Sequence, residues 1–399
     1  MDMMAFDAAK AALLASARPV AETETVDTAR AFGRVLAEAL VSPLTVPPFA
    51  NAAMDGYALR AADLPAAGMR LPVRGRWAAG DAPGALPAGA AARIFTGAPL
   101  PAGADTVVMQ EHCRVEADEV VINLLPPAGE HVRQAGSDLA AGQTILAAGR
   151  RLSAAALGLA ASVGIARVTV FRPLRVAMFF TGSELTTPGE PLAPGRIYNS
   201  NRYIMAGFLQ DLGAEIVDLG IVADDRDATR AALRRAAAAA DVIVSSGGMS
   251  EGDEDHVTAA VRAEGRIDVW KIASKPGKPL AFGAVGDAAF VGLPGNPVSV
   301  WVGMQGLVVP FLRRCQGMSE VEPLRQRLRA DFSWRVKGNR QEFLRVRRNA
   351  DGGLDRYPNQ DSAIISSAVW CDGLAVIPAG ATVSPGDIVD YLPGPGWQP

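Results

Sequence analysis

Residues 241–257, DVIVSSGGMSEGDEDHV, open the most informative region of this chain, and WKIASKPGKPLAFG (270–283) and FVGLPGNPVS (290–299) complete it. The apolar run Asp241–Ser245 is too short for a helix and reads as a buried strand. Gly247 and Gly248 follow at its C-terminal end, where an open α/β sheet places its ligand crevice. An acidic helix start comes next, then a strand, the Lys275–Lys278 turn around Pro276-Gly277, another strand, and a glycine-proline turn into a helix. The chain has only five lysines (Lys10, Lys271, Lys275, Lys278 and Lys337), and three of them fall within residues 271–278. That concentration marks an oxyanion or phosphate site.

The same alternation extends towards the N-terminus. LRVAMFF (174–180) is a strand and TGSEL a turn; Asn199–Leu212 is a helix ending at Gly213. Glu215–Val222 is a strand, and Asp225–Ala240 a helix with Asp224 or Asp225 at its N-cap. Strands alternating with helices of this length predict βαβ units. The turns at Thr181–Glu184, Gly247–Gly252 and Lys275–Lys278 should then open on one edge.

On either side the texture changes. Residues 4–18 and 26–40 read as packing helices, from Phe6, Ala9, Leu13 and then Val26, Ala29, Leu36 and Leu40 at near-helical spacing. Short β runs between Gly/Pro turns fill 71–146. The alanine-rich segment 152–166 predicts a helix packing back on the N-terminal helices, which makes the β block an insertion. The last part, 322–399, returns to β texture with turns at Lys337-Gly338, Asp351-Gly352-Gly353 and Ser384-Pro385-Gly386.

Composition removes several classes. With 49% hydrophobic and 20% charged residues the chain is of the ordinary globular kind. Net charge −3 and pI ≈ 5.8 carry no nucleic-acid footprint. Three distant cysteines and three histidines without ligand spacing argue against zinc or a disulfide framework. The longest uncharged small-apolar run, Ser153–Ala166, is too short to span a bilayer, and MDMMAFDAAK lacks a signal-peptide pattern. A cytoplasmic protein is expected, without membrane or nucleic-acid partners.

Amides at a glycine turn before a helix bind anions, and lysines add point charges. The carboxylates Glu184, Asp225, Asp253, Glu254 and Asp255 make sense beside such a site if Mg²⁺ bridges them to ligand phosphates. The alternative for Asp253–Asp255 is simple complementation of a helix N-terminus. Asp55-Gly56 is likewise a common turn dipeptide, and the polar loops at Thr96-Gly97 and Arg133–Asp138 are weak signals alone. Gly248-Met249-Ser250-Glu251-Gly252 matches the serine-nucleophile elbow. A hydrolase is rejected, because the only later histidine, His256, sits on the very next helix. Lys278 is followed by Pro279, so no Walker A loop is present.

Together, PPFANAAMDGYA (47–58), RIFTGAPLPAGAD (93–105), GSDL (136–139), FFTGSEL (179–185), IYNSNR (197–202), SSGGMSEGDEDH (245–256), KPGKPLAFG (275–283) and GLPGNPVS (292–299) resemble the molybdopterin molybdenumtransferases of the MoeA type, the group that includes the C-terminal part of gephyrin. Two positions depart from the family pattern: Ala53 stands where Ser is frequent, and Ser183 where an acid is common.

The resemblance implies a multidomain α/β-plus-β fold. Segments 1–42 and 147–172 would form a helical N-terminal domain and 43–146 an inserted β domain. The span 173–318 would be a three-layer molybdopterin-binding domain and 319–399 a barrel-like β domain. It implies insertion of molybdate into adenylylated molybdopterin with Mg²⁺, releasing AMP as the last step of molybdenum cofactor biosynthesis. It also implies a homodimer whose cleft lies between the α/β domain of one subunit and the β domain of the other. Lys275, Lys278, Asp55 and Asp138 map to catalytic positions, Thr96, Pro294 and Pro297 to substrate contacts, and Glu184, Asp225 and Asp255 to the metal. Gly247, Gly248, Ser250 and Asn296 join the substrate contacts as turn residues of the same edge. A molybdopterin adenylyltransferase would deliver the substrate, and molybdoenzymes or their chaperones would receive the product. The alternatives are an adenylyltransferase acting on molybdopterin itself and a non-catalytic molybdopterin-binding scaffold.

Overall fold

The computed structural model describes residues 3–248, 256–278, 280–322 and 324–394. A six-stranded sheet organises it, in the order Glu215–Val222, Arg175–Thr181, Val242–Ser246, Ala288–Leu293, Ala281–Val285 and Gly265–Trp270. The first four strands are parallel; Ala281–Val285 runs antiparallel to both of its neighbours, so Gly265–Trp270 regains the direction of the first four. Strand Arg175–Thr181 is apolar from Val176 to Phe180 because helices cover both faces. Val176, Met178 and Phe180 face one layer, with Met205, Leu209, Val298 and Leu312. Ala177 and Phe179 face the other, against Leu233, Ala236, Val257 and Val261. This two-residue alternation produces three layers. Strand Glu215–Val222 and helices Asn201–Asp211 and Arg226–Ala239 fall where the sequence predicts them.

The helix predicted over residues 26–40 is not one. Thr23–Asp27 is a strand paired antiparallel with Arg167–Phe171, from Thr23 opposite Phe171 to Asp27 opposite Arg167. A 3₁₀ turn, Thr28–Arg30, follows, and Gly33 takes a φ of +75°. The β-branched residues Thr23, Thr25 and Val26 suit a strand, and a left-handed residue ends any helical run. Val26 and Leu36 are apolar to pack against Val168, Val170, Leu152 and Ala156 rather than to face a helical neighbour.

The first helix, Phe6–Ser16, also departs from expectation. It does not meet helix Ala154–Ser162, which packs on Ala31 and Leu146 instead. Phe6, Ala9 and Leu13 enter the core of the α/β layers. Phe6 lies 4.6 Å from the Phe343 ring, centroid to centroid. Backbone bonds run from Met4 N to Lys271 O at 3.2 Å and from Ala273 N to Met4 O at 2.7 Å. The chain start is thus fastened behind the lysine turn.

Two connectors join the inserted β block to the rest. Leu40–Val41 pairs with Thr144–Leu146, Val46 with Leu139, and Asn51–Ala52 with Val132–Arg133. The block is a six-stranded sheet in the order Thr106–Met109, Gly56–Leu59, Ala91–Ile94, Met69–Trp77, Glu119–Ile122, Cys113–Glu116. At the C-terminus five strands close a barrel: Gln341–Arg348, Gly353–Arg356, Gln326–Ala330, Ile388–Pro393 and Gly373–Ile377, the last pairing back onto the first. Leu344 and Val346 point into the barrel core, and Phe343 points out against the α/β helices. The short strand Ser274–Lys275 adds in parallel to Gln341–Glu342, so the barrel and the lysine turn share a ladder. No described helix is long and apolar enough to cross a membrane.

Candidate functional site

Three strand ends build one wall of a cleft of about 800 Å³. Strand Arg175–Thr181 leads into Gly182–Glu184, Val242–Ser246 into Gly247-Gly248, and Ala288–Leu293 into Pro294–Pro297. The buried Ser246 hydroxyl donates to Pro294 O at 2.9 Å. Asn201 Nδ2 donates to Ser246 Oγ at 2.9 Å and to Gly295 O at 2.7 Å. One amide, at the start of helix Asn201–Asp211, therefore locks two of the three turns together.

Gly247 has no alternative. Its φ is +96°, and a Cβ would stand 2.1 Å from Thr181 O. Gly248, at φ +60°, would place a Cβ 2.5 Å from Val257 Cγ2. The glycine pair lets this strand end approach its neighbour closely.

The lysine turn forms the opposite wall. Ser274, 2% exposed, donates from Oγ to Gly277 O at 2.7 Å and fixes the turn. Lys275 Nζ lies 3.1 Å from Glu342 Oε1, and Trp334 Nε1 donates to Glu342 Oε2 at 2.8 Å. Lys278 also lines the cleft.

The third wall comes from the barrel and was not read from the sequence. Arg340, Gln360, Asp361 and Ser362 line the cleft. Asn296 Nδ2 donates to Ser362 Oγ at 3.0 Å, and Val298 N to Ser362 O at 3.0 Å. Behind this segment Arg345 is fully buried, donating to Ser367 Oγ and Asp361 O, both at 3.0 Å. Burial pulls its guanidinium down to about 10.

Several wall atoms await a partner. Thr181 Oγ1, Asn199 Nδ2 and Asn201 Oδ1 are buried without a hydrogen bond among the described residues. Buried polar groups are normally paired, so a polar ligand would complete them. The site therefore combines cationic side chains, amide and hydroxyl groups, and glycine-rich strand ends, a set suited to a phosphorylated or oxyanionic ligand.

Of the residues expected at the site, Lys275, Lys278, Glu184, Gly247, Gly248, Pro294, Asn296 and Pro297 line this cleft. Ser250 and Asp255 lie outside the described residues. Asp225 is the N-cap of helix Arg226–Ala239, its Oδ1 accepting from Ala228 N at 2.9 Å, while its neighbour Asp224 lines the cleft. Asp55, Thr96 and Asp138 lie in and beside the inserted β block and do not line the cleft of their own chain. Asp55 Oδ1 accepts from Thr96 N at 2.8 Å and Thr96 Oγ1 at 2.7 Å. Those two bonds, the amide first, hold the Asp55 carboxyl below the usual carboxylate range. Asp138 is fixed by its own amide, which donates to Val46 O at 3.0 Å.

The carboxylates suit Mg²⁺. That ion takes one or two protein carboxylates and fills its remaining positions with phosphate oxygens and water. Glu184 and Asp224, hard oxygen donors, line the same cleft and could hold such an ion.

Three family profiles match successive parts of the chain. Residues 4–164 match the family profile described as MoeA N-terminal region (domain I and II). Residues 177–314 match a probable molybdopterin binding domain, and 327–393 the MoeA C-terminal region (domain IV). A molybdopterin molybdenumtransferase of Haemophilus influenzae is 39% identical over 80% of this chain and 79% of its own length. Its counterpart in Nostoc is 36% identical over 90% of this chain and 86% of its own. The crystal structure of a molybdopterin biosynthesis moeA protein from Pyrococcus horikoshii OT3 superposes with a TM-score of 0.85 at 26% identity, covering 98% of this chain and 100% of that one.

Proposed function

The chain belongs to the MoeA family of molybdopterin molybdenumtransferases and is a transferase of molybdenum cofactor biosynthesis, and we propose that its cleft inserts molybdate into adenylylated molybdopterin with release of AMP. The observation that carries the site assignment is the convergence of Lys275, Lys278 and Arg340 on a cleft floored by Ser246, Gly247 and Gly248. In this reading the cationic side chains and turn amides hold molybdate and phosphate oxygens. The buried Thr181, Asn199 and Asn201 atoms take the polar edges of the substrate. Glu184 and Asp224, with Asp255 from outside the described residues, would hold Mg²⁺. When bound, that ion supplies charge neutralisation on the pyrophosphate. The dithiolene sulfurs belong to the substrate, so no protein thiol takes part. Burial pushes the Cys315 thiol up to about 12 and the Cys371 thiol up to about 11, which leaves both unreactive.

The reading includes a homodimer in the cytoplasm, in which Asp55, Thr96 and Asp138 reach the partner's cleft. A molybdopterin adenylyltransferase would supply the substrate, and molybdoenzymes or their chaperones would take the product.

The test is AMP release from adenylylated molybdopterin with Mg²⁺, with and without molybdate. Molybdate-dependent AMP release is expected. Lys275→Ala and Lys278→Ala should each lower it by about 10²-fold or more, the usual effect of deleting one oxyanion-stabilising donor. Tight molybdopterin binding without AMP release would make the protein a scaffold. ATP consumption on unmodified molybdopterin would make it an adenylyltransferase.

A further inference from the structure

Glu342 is the least expected charge near the cleft. It is 2% exposed, on a barrel strand, in a chain segment that no cleft motif includes. Acidic side chains are almost never fully buried unless paired. Both carboxylate oxygens are used: Oε1 faces Lys275 Nζ at 3.1 Å, and Oε2 accepts from Trp334 Nε1 at 2.8 Å. The backbone enforces the pair, since Lys275 lies directly opposite Glu342 in the parallel ladder and Gln341 N donates to Ala273 O at 2.9 Å. Glu342 itself does not line the cleft, whereas Lys275 does.

From this geometry we infer that Glu342 is a positioning residue for transfer, the buried carboxylate that aims the Lys275 ammonium at the oxyanion in the cleft. An ammonium carries three donors, so one bond to Glu342 leaves two for the ligand. A free lysine loses side-chain rotamer freedom when a ligand fixes it. Here folding has already ordered the side chain, before any ligand arrives. A negative charge beside an anion site also has a cost, which a solvent-exposed acid would add without any ordering. Burial behind Lys275, with the indole on the other oxygen, keeps Glu342 directed at the lysine. The C-terminal barrel thereby acts on the α/β cleft through one ion pair. The inference rests on the transferase reading above and assigns a residue that the reading does not use.

The experiment is a double-mutant cycle read by molybdate-dependent AMP release. Glu342→Gln keeps the shape and an acceptor for Trp334 but removes the charge. It should lower kcat/KM for molybdate about tenfold, a penalty in the range of small misplacements of a reacting group. In a Lys275→Met background the same Glu342→Gln change should have no further effect on the residual rate, because Glu342 acts only through the lysine. Equal losses in both backgrounds would reduce Glu342 to a structural role and overturn the inference. So would wild-type kinetics for Glu342→Gln while Lys275→Met is impaired. Absence of molybdate-dependent AMP release by the wild type would overturn the transferase reading itself, and this inference with it. Unfolding midpoints of all four proteins identify any loss that comes from misfolding.

Discussion

At Gly247 two independent constraints coincide, a φ of +96° and a Cβ position 2.1 Å from the Thr181 carbonyl oxygen. Gly213 isolates the first constraint, since its φ is +70° with no atom within 4 Å of its Cβ position. Gly213→Ala should therefore cost about 1 kcal/mol, the strain of a left-handed residue alone. Gly247→Ala adds overpacking against backbone and should cost about 3 kcal/mol or more. Chemical denaturation of the two variants tests the difference, and equal midpoints would remove the close-approach argument. The dipeptide was legible in the sequence as a turn that could hold an anion. Its steric necessity was not, because the clash is with Thr181, on a different strand.

Among elements, helix Phe6–Ser16 changes meaning most between sequence and structure. Its apolar spacing is that of any packing helix, and spacing does not say what the helix packs on. The structure seats it on the helical segment 297–315, where a Cβ on Gly306 would stand 3.0 Å from Phe6 Cζ. Phe6 is 4% exposed and touches both the α/β core and Phe343 of the barrel. Phe6→Ala should cost about 3–5 kcal/mol, the usual range for a buried aromatic truncation. A loss below about 1 kcal/mol would mean the helix is a loose appendage. Residues 26–40 teach the converse lesson. Helical spacing of Val26, Leu36 and Leu40 misled because a distant strand, Arg167–Phe171, places Val168 opposite Val26.

For the whole molecule, the proposed function assigns Asp55, Thr96 and Asp138 to a cleft that they do not line in their own chain, which raises a question of assembly. The proposed dimer answers it by subunit exchange of the inserted β block, and complementation provides the measurement. Asp55→Ala and Lys278→Ala should each be strongly impaired alone, Lys278→Ala by about 10²-fold or more. Mixed under conditions that exchange subunits, they should regain about a quarter of wild-type AMP release, because half the dimers are mixed and one of two clefts in each is whole. A mixture that stays impaired would place the whole site within one chain. The ion pairs between units indicate how firmly the molecule is joined. Arg172 grips Asp241 through two bonds of 2.8 Å and also meets Glu22. Burial works against the Asp241 charge, but the Arg172 fork and the Arg175 amide outweigh it and hold its carboxyl below the ordinary range. A depressed carboxylate stabilises the fold above its unfolded pKa and loses that contribution as pH falls through the lowered value.

Local chemistry was enough to read the α/β sheet and the strand ends and turns that bring Gly247, Lys275 and Pro294 to the cleft. Runs such as Val176–Phe180 are apolar on both faces, glycine and proline punctuate them, and lysines are rare elsewhere. These are properties of neighbours along the chain. Contacts between distant segments required the tertiary structure. Arg340, Asp361 and Ser362 reach the cleft only because the barrel strand Gln341–Arg348 pairs with Ser274–Lys275. Glu342 can be buried only because Lys275 and Trp334 meet it there. A carboxylate that reads as a solvated surface charge in one dimension becomes half of an interior ion pair in three. The free energy that decides between the two comes from partners far away in sequence.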